Sequence, residues 1–358
     1  MSVADRAQPC RDCWPADGLE RQAQCPACGA ADRTILHSGL TDDTFFSAPG
    51  KWCLWSCSSC RTAYLDPRPT PGTIGLAYRT YYTHGAGEGR PDYAALSALR
   101  KLRRRLANGY ARWRFGARDL PASRLGVIAA YLVPGVRGVF ANQYRGLPRR
   151  RPEGARLLDV GCGNGSYLDL ACGCGWQAVG VDPDPKAVAA ARARGFEVHH
   201  GGIEVFDGQS DLFDAITMSH VIEHLHDPAE VLRACHRLLR PGGYLWLETP
   251  NIASIGHRLF GPNWRGLEPP RHLVLFNHRA LCRLLRHSGF AGVRPMPQRV
   301  AAPALYRASH RLRNAVRIDD DLPLPAALRA QASLATAIGR LFPARREFLS
   351  IFAQKSPR

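Results

Sequence analysis

The sequence predicts an α/β fold, a doubly wound and mostly parallel sheet with helices on both faces, preceded by a small cysteine-bearing module. Three observations predict it. The apolar run Leu157 to Val160 leads into glycines 161, 163 and 165, and a second apolar run then ends on Asp182. That is the strand, glycine turn, helix, strand, acid order of a nucleotide-binding unit. Short apolar runs then alternate with helix-prone stretches down to about residue 290, as sequential βα units require. Finally, six of the seven cysteines in the first sixty residues form Cys-x-x-Cys pairs.

The elements follow in order. After the glycine turn, a short helix over 166–172 meets Gly173 and Gly175, which tolerate the left-handed turn after a helix. Residues 186–194 are alanine-rich and helix-prone, Gly195 ends them, and 196–200 reads as the third strand. Strand four is expected at 213–218. Asp227-Pro-Ala-Glu230 opens the next helix, with Asp as cap, Pro at the first helical position and Glu three residues on. That helix is expected to stop at Pro241-Gly-Gly243, before strand five at 244–248. A helix over 279–287 is closed by Gly289. The alternating segment 347–352 reads as the last strand, after a partly helical insertion.

The glycine turn bears on the ligand. A dinucleotide site wants Gly-x-Gly-x-x-Gly, and here position 166 is Ser. An acid, Asp159, lies inside the first strand, two residues before the first glycine. The stretch 154–290 resembles the class I S-adenosylmethionine (AdoMet)-dependent methyltransferases. The resemblance implies a Rossmann-like, seven-stranded sheet. It implies an AdoMet site built from Asp159, Gly161, Gly163, Gly165, Asp182, Ile203, Glu204 and Ser219. Glycines admit the methionine part closely, Asp159 orients the loop or meets the ammonium, and Asp182 accepts from the ribose hydroxyls. Where the family often has an acid near the adenine this chain has Gly202, so the Ile203 backbone or Glu204 is expected to substitute.

The loop after strand four carries His220, Glu223, His224 and His226, at the sheet edge where open α/β sheets bind ligands. It resembles the Glu-x-x-Glu-His stretch of the ubiquinone-biosynthesis O-methyltransferases, a pattern associated with a divalent cation. His220 replaces the first Glu, which argues against magnesium because that ion prefers oxygen. A second block, Pro270-Arg-His-Leu-x-x-Phe276, resembles bacterial methyltransferases acting on small molecules, sugars or envelope glycans. In it His272 is a candidate general base, since imidazole has the pKa range to take a hydroxyl proton. Trp264 is a candidate pocket wall and Arg271 a candidate substrate anchor. His272, His224 and His220 are thus the candidate catalytic residues. A structural role for each is the competing reading.

The N-terminus lacks a basic region followed by an apolar run, which predicts a cytoplasmic, reducing setting. There the Cys-x-x-Cys spacing favours metal over disulfides. Cys25, Cys28, Cys57 and Cys60 look like the two knuckles of a zinc ribbon, four thiolates suiting a structural Zn²⁺. Cys10 and Cys13 are either a second, incomplete site or free, and Cys53 reads as a strand residue. Tyr78, Tyr81 and Tyr82 lie where the zinc-ribbon-plus-methyltransferase subgroup packs its ribbon on the catalytic domain, as a joint or a lid. The predicted organisation is a flexible tail (1–20), a zinc-ribbon-like module (21–70), a helical basic linker (71–152), an AdoMet-binding core (153–300), a helical insertion (301–342), and a final strand with tail (343–358).

The net charge of +18 is unevenly placed: residues 100–151 hold fourteen Lys or Arg and one acid, Asp119, around an apolar stretch at 125–140. Such a segment suits an anionic membrane surface at its inner face, nucleic-acid phosphates, or an arginine-rich solvated linker. Three functions stay open. The first is AdoMet-dependent methylation of a small molecule, sugar or lipid-linked glycan, on oxygen rather than carbon. The second is an rRNA or tRNA methyltransferase gripping RNA with ribbon and arginines, although no Asn/Asp-Pro-Pro-Tyr motif follows strand four. The third is a non-catalytic zinc-ribbon adaptor.

Overall fold

The computed structural model describes residues 14–79, 93–118, 121–133, 135–148, 153–297, 300–316, 320 and 322–357 of the 358. Cys10, Cys13, Tyr81, Tyr82 and Asp119 lie outside the described residues.

The N-terminal module contains β1 (Leu19–Glu20), β2 (Arg33–Leu40), β3 (Trp52–Cys57), β4 (Ala63–Leu65) and β5 (Arg68–Pro69). Strands β2, β3 and β4 form an antiparallel ribbon. Within 14–20, expected to belong to a terminal tail, Trp14 and Gly18 are instead buried. Trp14 is buried edge-on against Trp52, and β1 pairs with β5. The basic linker folds into α1 (Ala98–Phe115), α2 (Leu125–Leu132) and α3 (Val136–Ala141). Helices α1 and α2 meet at two glycines: a Cβ on Gly109 would lie 1.7 Å from the Ser123 carbonyl oxygen, and one on Gly126 1.8 Å from that of Leu106. A side chain at either position would force the helices apart.

The α/β core follows as β6 (Arg156–Val160), α4 (Ser166–Gly173), β7 (Gln177–Asp182), α5 (Pro185–Ala193), β8 (Glu197–His200), β9 (Phe213–Ser219), α6 (Pro228–Leu238), β10 (Leu239–Pro250), α7 (Ile255–Phe260), β11 (Val274–Leu275), α8 (His278–His287), β12 (Ala291–Pro295), α9 (Ala302–Arg313), α10 (Ala326–Leu341) and β13 (Phe348–Gln354). Seven strands make one sheet in the order β12-β13-β10-β9-β6-β7-β8, with only β13 running against the rest. Helix starts follow the sequence signals. Asp184 accepts from the Lys186 N–H (3.0 Å) and Asp227 from the Glu230 N–H (2.8 Å), each with Pro at the first turn.

Two boundaries differ from expectation. Helix α6 ends at Leu238, and Pro241-Gly-Gly243 falls inside β10, in an irregularity between Leu239 and Tyr244. Apolar pairing at Leu239 and again from Tyr244 onward outweighs the turn propensity of the Pro-Gly-Gly run between them. The strand β12 was not anticipated, because Ala291-Gly-Val-Arg-Pro carries little apolar alternation. The insertion is a helical pair, α9 against α10.

Side-chain alternation along β6 separates two cores. Leu158 and Val160 join a cluster with Leu232, Leu247 and Leu281, which extends into the ribbon. Leu157 faces Tyr167, Trp176 and Trp246 on the side covered by α1–α3. Each fully buried leucine here contributes ~2 kcal/mol. The ribbon is not a separate bead. Strand β11, from the α/β core, adds to β4 as its fourth strand, and the Asn277 side chain donates to the Cys60 carbonyl at 2.7 Å.

Candidate active site

The glycine turn joins β6 to α4. Gly161, Gly163 and Gly165 all have positive φ (71°, 55° and 77°), a region L side chains avoid. Gly161 approaches Val221 so closely that a Cβ would lie 2.4 Å from its Cγ2, whereas a Cβ on Gly163 would meet nothing within 4 Å. The turn is thus pinned to the loop after β9 on one side and open on the other. Asp182, at the end of β7, reaches under it: one carboxylate oxygen accepts from the Gly163 N–H at 2.8 Å and the other from the Asp184 N–H at 2.9 Å.

Asp159 is fully buried in β6. Its Oδ1 accepts from Thr217 Oγ1 (2.6 Å) and from the Arg145 guanidinium (2.5 Å), while Oδ2 is buried with no partner among the described residues. Burial pushes the Asp159 carboxyl pKa up, against the pull of Arg145 and Thr217. A buried carboxylate oxygen without a donor is costly. An ammonium group entering beside the glycine turn would satisfy it. Arg145 has no sequence motif around it; only the return of the linker over the sheet brings it to Asp159, with its guanidinium 3.8 Å from the Tyr167 ring centre. At the other end of the cleft, Ile203 is buried in the core and Glu204 turns back to accept from the Gly202 N–H at 2.6 Å. Ser219 ends β9, opposite Glu248 of β10.

The three candidate histidines are held differently, His220 and His224 in the loop after β9 and His272 just before β11. His220 sits at φ 55°, unusual for a non-glycine residue, and its N–H donates to the Glu248 carbonyl at 2.8 Å. Its ring lies between two carboxylates, Nδ1 3.3 Å from Glu223 and Nε2 3.7 Å from Glu248. Burial would lower its pKa, but the two acids outweigh burial and raise it to about 9. Burial likewise opposes the charge on Glu223, yet His220 and the neighbouring imidazoles hold its pKa at about 2. His220 is therefore an imidazolium at neutral pH, a clamp between two acids.

His224 places Nδ1 2.9 Å from the Arg271 carbonyl and 2.9 Å from the Tyr78 hydroxyl. His272 places Nδ1 2.8 Å from the Gly266 carbonyl. A carbonyl only accepts, so in each neutral ring Nδ1 carries the proton and Nε2 presents a lone pair. The rings stand 4.8 Å apart, and one ligand atom from each of Glu223, His224 and His272 lies within 4.8 Å of the other two. Two imidazoles and a carboxylate suit a transition-metal ion better than magnesium. The positive His220 beside Glu223 opposes any cation there. Burial holds His272 down at about 4, whereas His224 is only half-buried.

Two expected substrate contacts prove to be braces. Arg271 is wholly buried and ties Asp42, Ser47 and the Ala77 carbonyl of the N-terminal part to Glu268. With two carboxylates and a carbonyl already satisfying its fork, it cannot anchor an acceptor. Trp264 is buried and donates to Glu347 at 3.2 Å, so it belongs to the core.

The four ribbon cysteines converge. Cys25 and Cys60 sulfurs lie 3.6 Å apart, as do those of Cys28 and Cys57, and all four fall within 4.8 Å of one another. A tetrahedron of ~2.3 Å metal–sulfur bonds requires sulfurs about 3.8 Å apart. The cluster has the dimensions of a zinc site.

A family model described as "Methyltransferase domain" matches residues 138–294. A "Ubiquinone biosynthesis O-methyltransferase" of Methylocella silvestris is 32% identical over 183 residues, which cover 44% of this chain and 72% of that one. The namesake protein of Xanthomonas oryzae pv. oryzae is 42% identical over 105 residues, 27% of this chain and 44% of that one. The chain thus spans less than half the length of these Xanthomonas relatives. A SAM-dependent methyltransferase crystal structure from Archaeoglobus fulgidus aligns with a TM-score of 0.41 at 21% identity, covering 62% of this chain and 93% of that one. The chain belongs to the class I AdoMet-dependent methyltransferases.

The histidine clamp carries a pH prediction. The folded pKa of His220 lies above its unfolded value of ~6.5, so its contribution is fully present below that value and is lost as pH rises through about 9. The melting temperature of the wild type should fall between neutral pH and pH ~9.5 by more than that of His220→Asn. Parallel pH profiles of the two proteins would show that His220 is not the titrating group.

Proposed function

We propose that the protein transfers the methyl group of AdoMet to a hydroxyl of a small molecule, sugar or glycan acceptor. The orphaned Asp159 Oδ2 beside an open glycine turn carries this reading. The residues fit the cofactor: Asp159 for the ammonium, Asp182 for the ribose hydroxyls, and Gly163 for close approach. Bound AdoMet would supply an electrophilic methyl on its sulfonium, the acceptor oxygen bonding that carbon as the carbon–sulfur bond breaks and the neutral thioether leaves. Ile203 and Glu204 border the adenine end, and Ser219 borders the side facing the acceptor.

The chain's own residues then have two tasks, alignment and proton removal. His224 takes the acceptor proton on Nε2, its ring set by the Arg271 carbonyl and Tyr78. His272, buried and neutral, stands behind it and excludes water. His220 holds Glu223 and Glu248 in place and keeps the Glu223 carboxylate charged. The O-methyltransferase activity named for the similar ubiquinone-biosynthesis proteins supports oxygen as the accepting atom.

In the ribbon, Cys25, Cys28, Cys57 and Cys60 hold one structural Zn²⁺. Cys60 donates its N–H toward Cys57 Sγ at 3.5 Å, as a metal knuckle does. No helix among the described residues is long and apolar enough to cross a membrane. Calorimetry on the zinc-loaded full chain should show one AdoMet site. A flat titration would overturn the reading.

A further inference from the structure

Beneath α1–α3, along the faces of β10 and β13, runs a groove of about 1140 Å³. Tyr244, Trp246 and Glu248 project from β10 into it, opposite Gln354, Phe352 and Ser350. Its inner end lies at the reaction edge: Glu248 contacts His220, and Arg145, also in the wall, holds Asp159. Six arginines line it (114, 137, 145, 294, 340 and 346) against two acids, Asp214 and Glu248. Both acids are engaged, Asp214 by Arg240 and Glu248 by Ser350 and His220. Arg145 is in turn neutralised by Asp159, which leaves five arginines; a groove with aromatic walls and this charge excess fits an anionic head group.

The mouth of the groove is apolar. Tyr131, Gly135 and Val300 line it, and beside them Leu132 and Leu341 are each 76% exposed, with Val133 and Phe342 also exposed. The end of α10 meets the turn after α2, where Arg340 Nη2 lies 3.1 Å from a Cβ position on Gly135. Leu125, Ile128 and Leu132 recur at helical spacing along the outer face of α2, all exposed. Around this ridge, α1, α2, α3 and α10 contain no Asp or Glu, while α1 alone carries Arg100, Lys101, Arg103, Arg104 and Arg105. Exposed aliphatic side chains beside uncompensated basic helices match an anionic lipid surface. A nucleic-acid backbone would use the charge but leave the aliphatic ridge in water.

We propose that the ridge of α2, the turn after it and the end of α10 docks on an anionic bilayer. The groove behind it receives an amphiphilic acceptor with an anionic head, carried in that bilayer. The acceptor half rests on the methyltransferase reading; the docking half does not.

Flotation of the full chain with vesicles tests docking. Phosphatidylcholine vesicles containing phosphatidylglycerol should capture the protein, and pure phosphatidylcholine about tenfold less. Leu132→Asp/Leu341→Asp should lower capture about tenfold without moving the melting temperature, since both side chains are in solvent. No capture by anionic vesicles, undiminished capture of the variant, or displacement from vesicles by an RNA oligonucleotide that binds the variant equally well would overturn docking. For the groove, submicellar dodecyl phosphate should bind in calorimetry where dodecyl maltoside does not. Arg294→Gln/Arg340→Gln should weaken it about tenfold; equal binding of both amphiphiles, or an unaffected variant, would overturn the acceptor class. AdoMet titration of the same samples separates the outcomes, because AdoMet binding without capture defeats only this proposal, and capture without AdoMet binding defeats the methyltransferase mechanism.

Discussion

Asp182→Ala should weaken AdoMet binding by ~100-fold or more, with the fold intact. Two hydroxyl donors to one carboxylate are worth ~1.5–3 kcal/mol each, and their joint loss corresponds to about two or more decades in Kd. Asp182 also holds the Gly163 N–H from below, so its removal loosens the turn that the methionine part approaches. Asp182→Asn keeps the shape and one acceptor and should lose about tenfold. Asp182 is the last residue of β7 and its carboxylate bonds turn N–H groups rather than sheet partners, so neither substitution breaks the sheet. Calorimetry with a melting curve on each variant decides it. A loss under about threefold for Asp182→Ala would place the ribose elsewhere.

Stripping the metal from the ribbon, or replacing Cys57 by Ser, should unfold more than the ribbon. A Cys₄ site can supply on the order of 10 kcal/mol to a module of this size. Here the module shares strand β11 with the catalytic core, and Leu273, Val274, Leu275 and Phe276 are all fully buried at that junction. The Leu273 N–H also donates to the Glu223 carbonyl at 2.8 Å, so the joint runs straight into the histidine cluster. A loss of about 5 kcal/mol should lower the melting temperature by roughly 10 °C or more. It should come as one cooperative transition, with AdoMet affinity falling in step. Two separate transitions, with AdoMet binding unchanged after chelation, would show that ribbon and core are independent.

Both expectations rest on residues of different legibility. The glycine turn proposed to seat AdoMet could be read from the chain because its parts are local: glycines at 161, 163 and 165 take positive φ, and Asp182 ends the adjacent strand. The four cysteines were legible for the same reason, since a knuckle is two residues wide. Glu223, His224 and His272 were found as residue types, but their arrangement was not. What each ring nitrogen does depends on the Arg271 and Gly266 carbonyls, which no spacing rule supplies. Arg145 and Glu248 carried no signal, being an arginine among many and an acid at the end of an apolar strand. Arg271 misled because a conspicuous exposed-type residue in a candidate site block turned out to be a buried brace to Asp42, 229 residues away.

The sequence by itself determined the fold class, the positive-φ glycine turn with Asp182 beside it, and the two Cys-x-x-Cys pairs that converge. These depend on backbone conformations and side-chain periods that repeat within a few residues. Only the tertiary structure decided that the ribbon borrows a strand from the core, that His220 is a charged clamp, and that a basic linker roofs a groove beside the reaction edge. Each of those is set by partners far apart in the chain, whose meeting is chosen by the burial of whole faces.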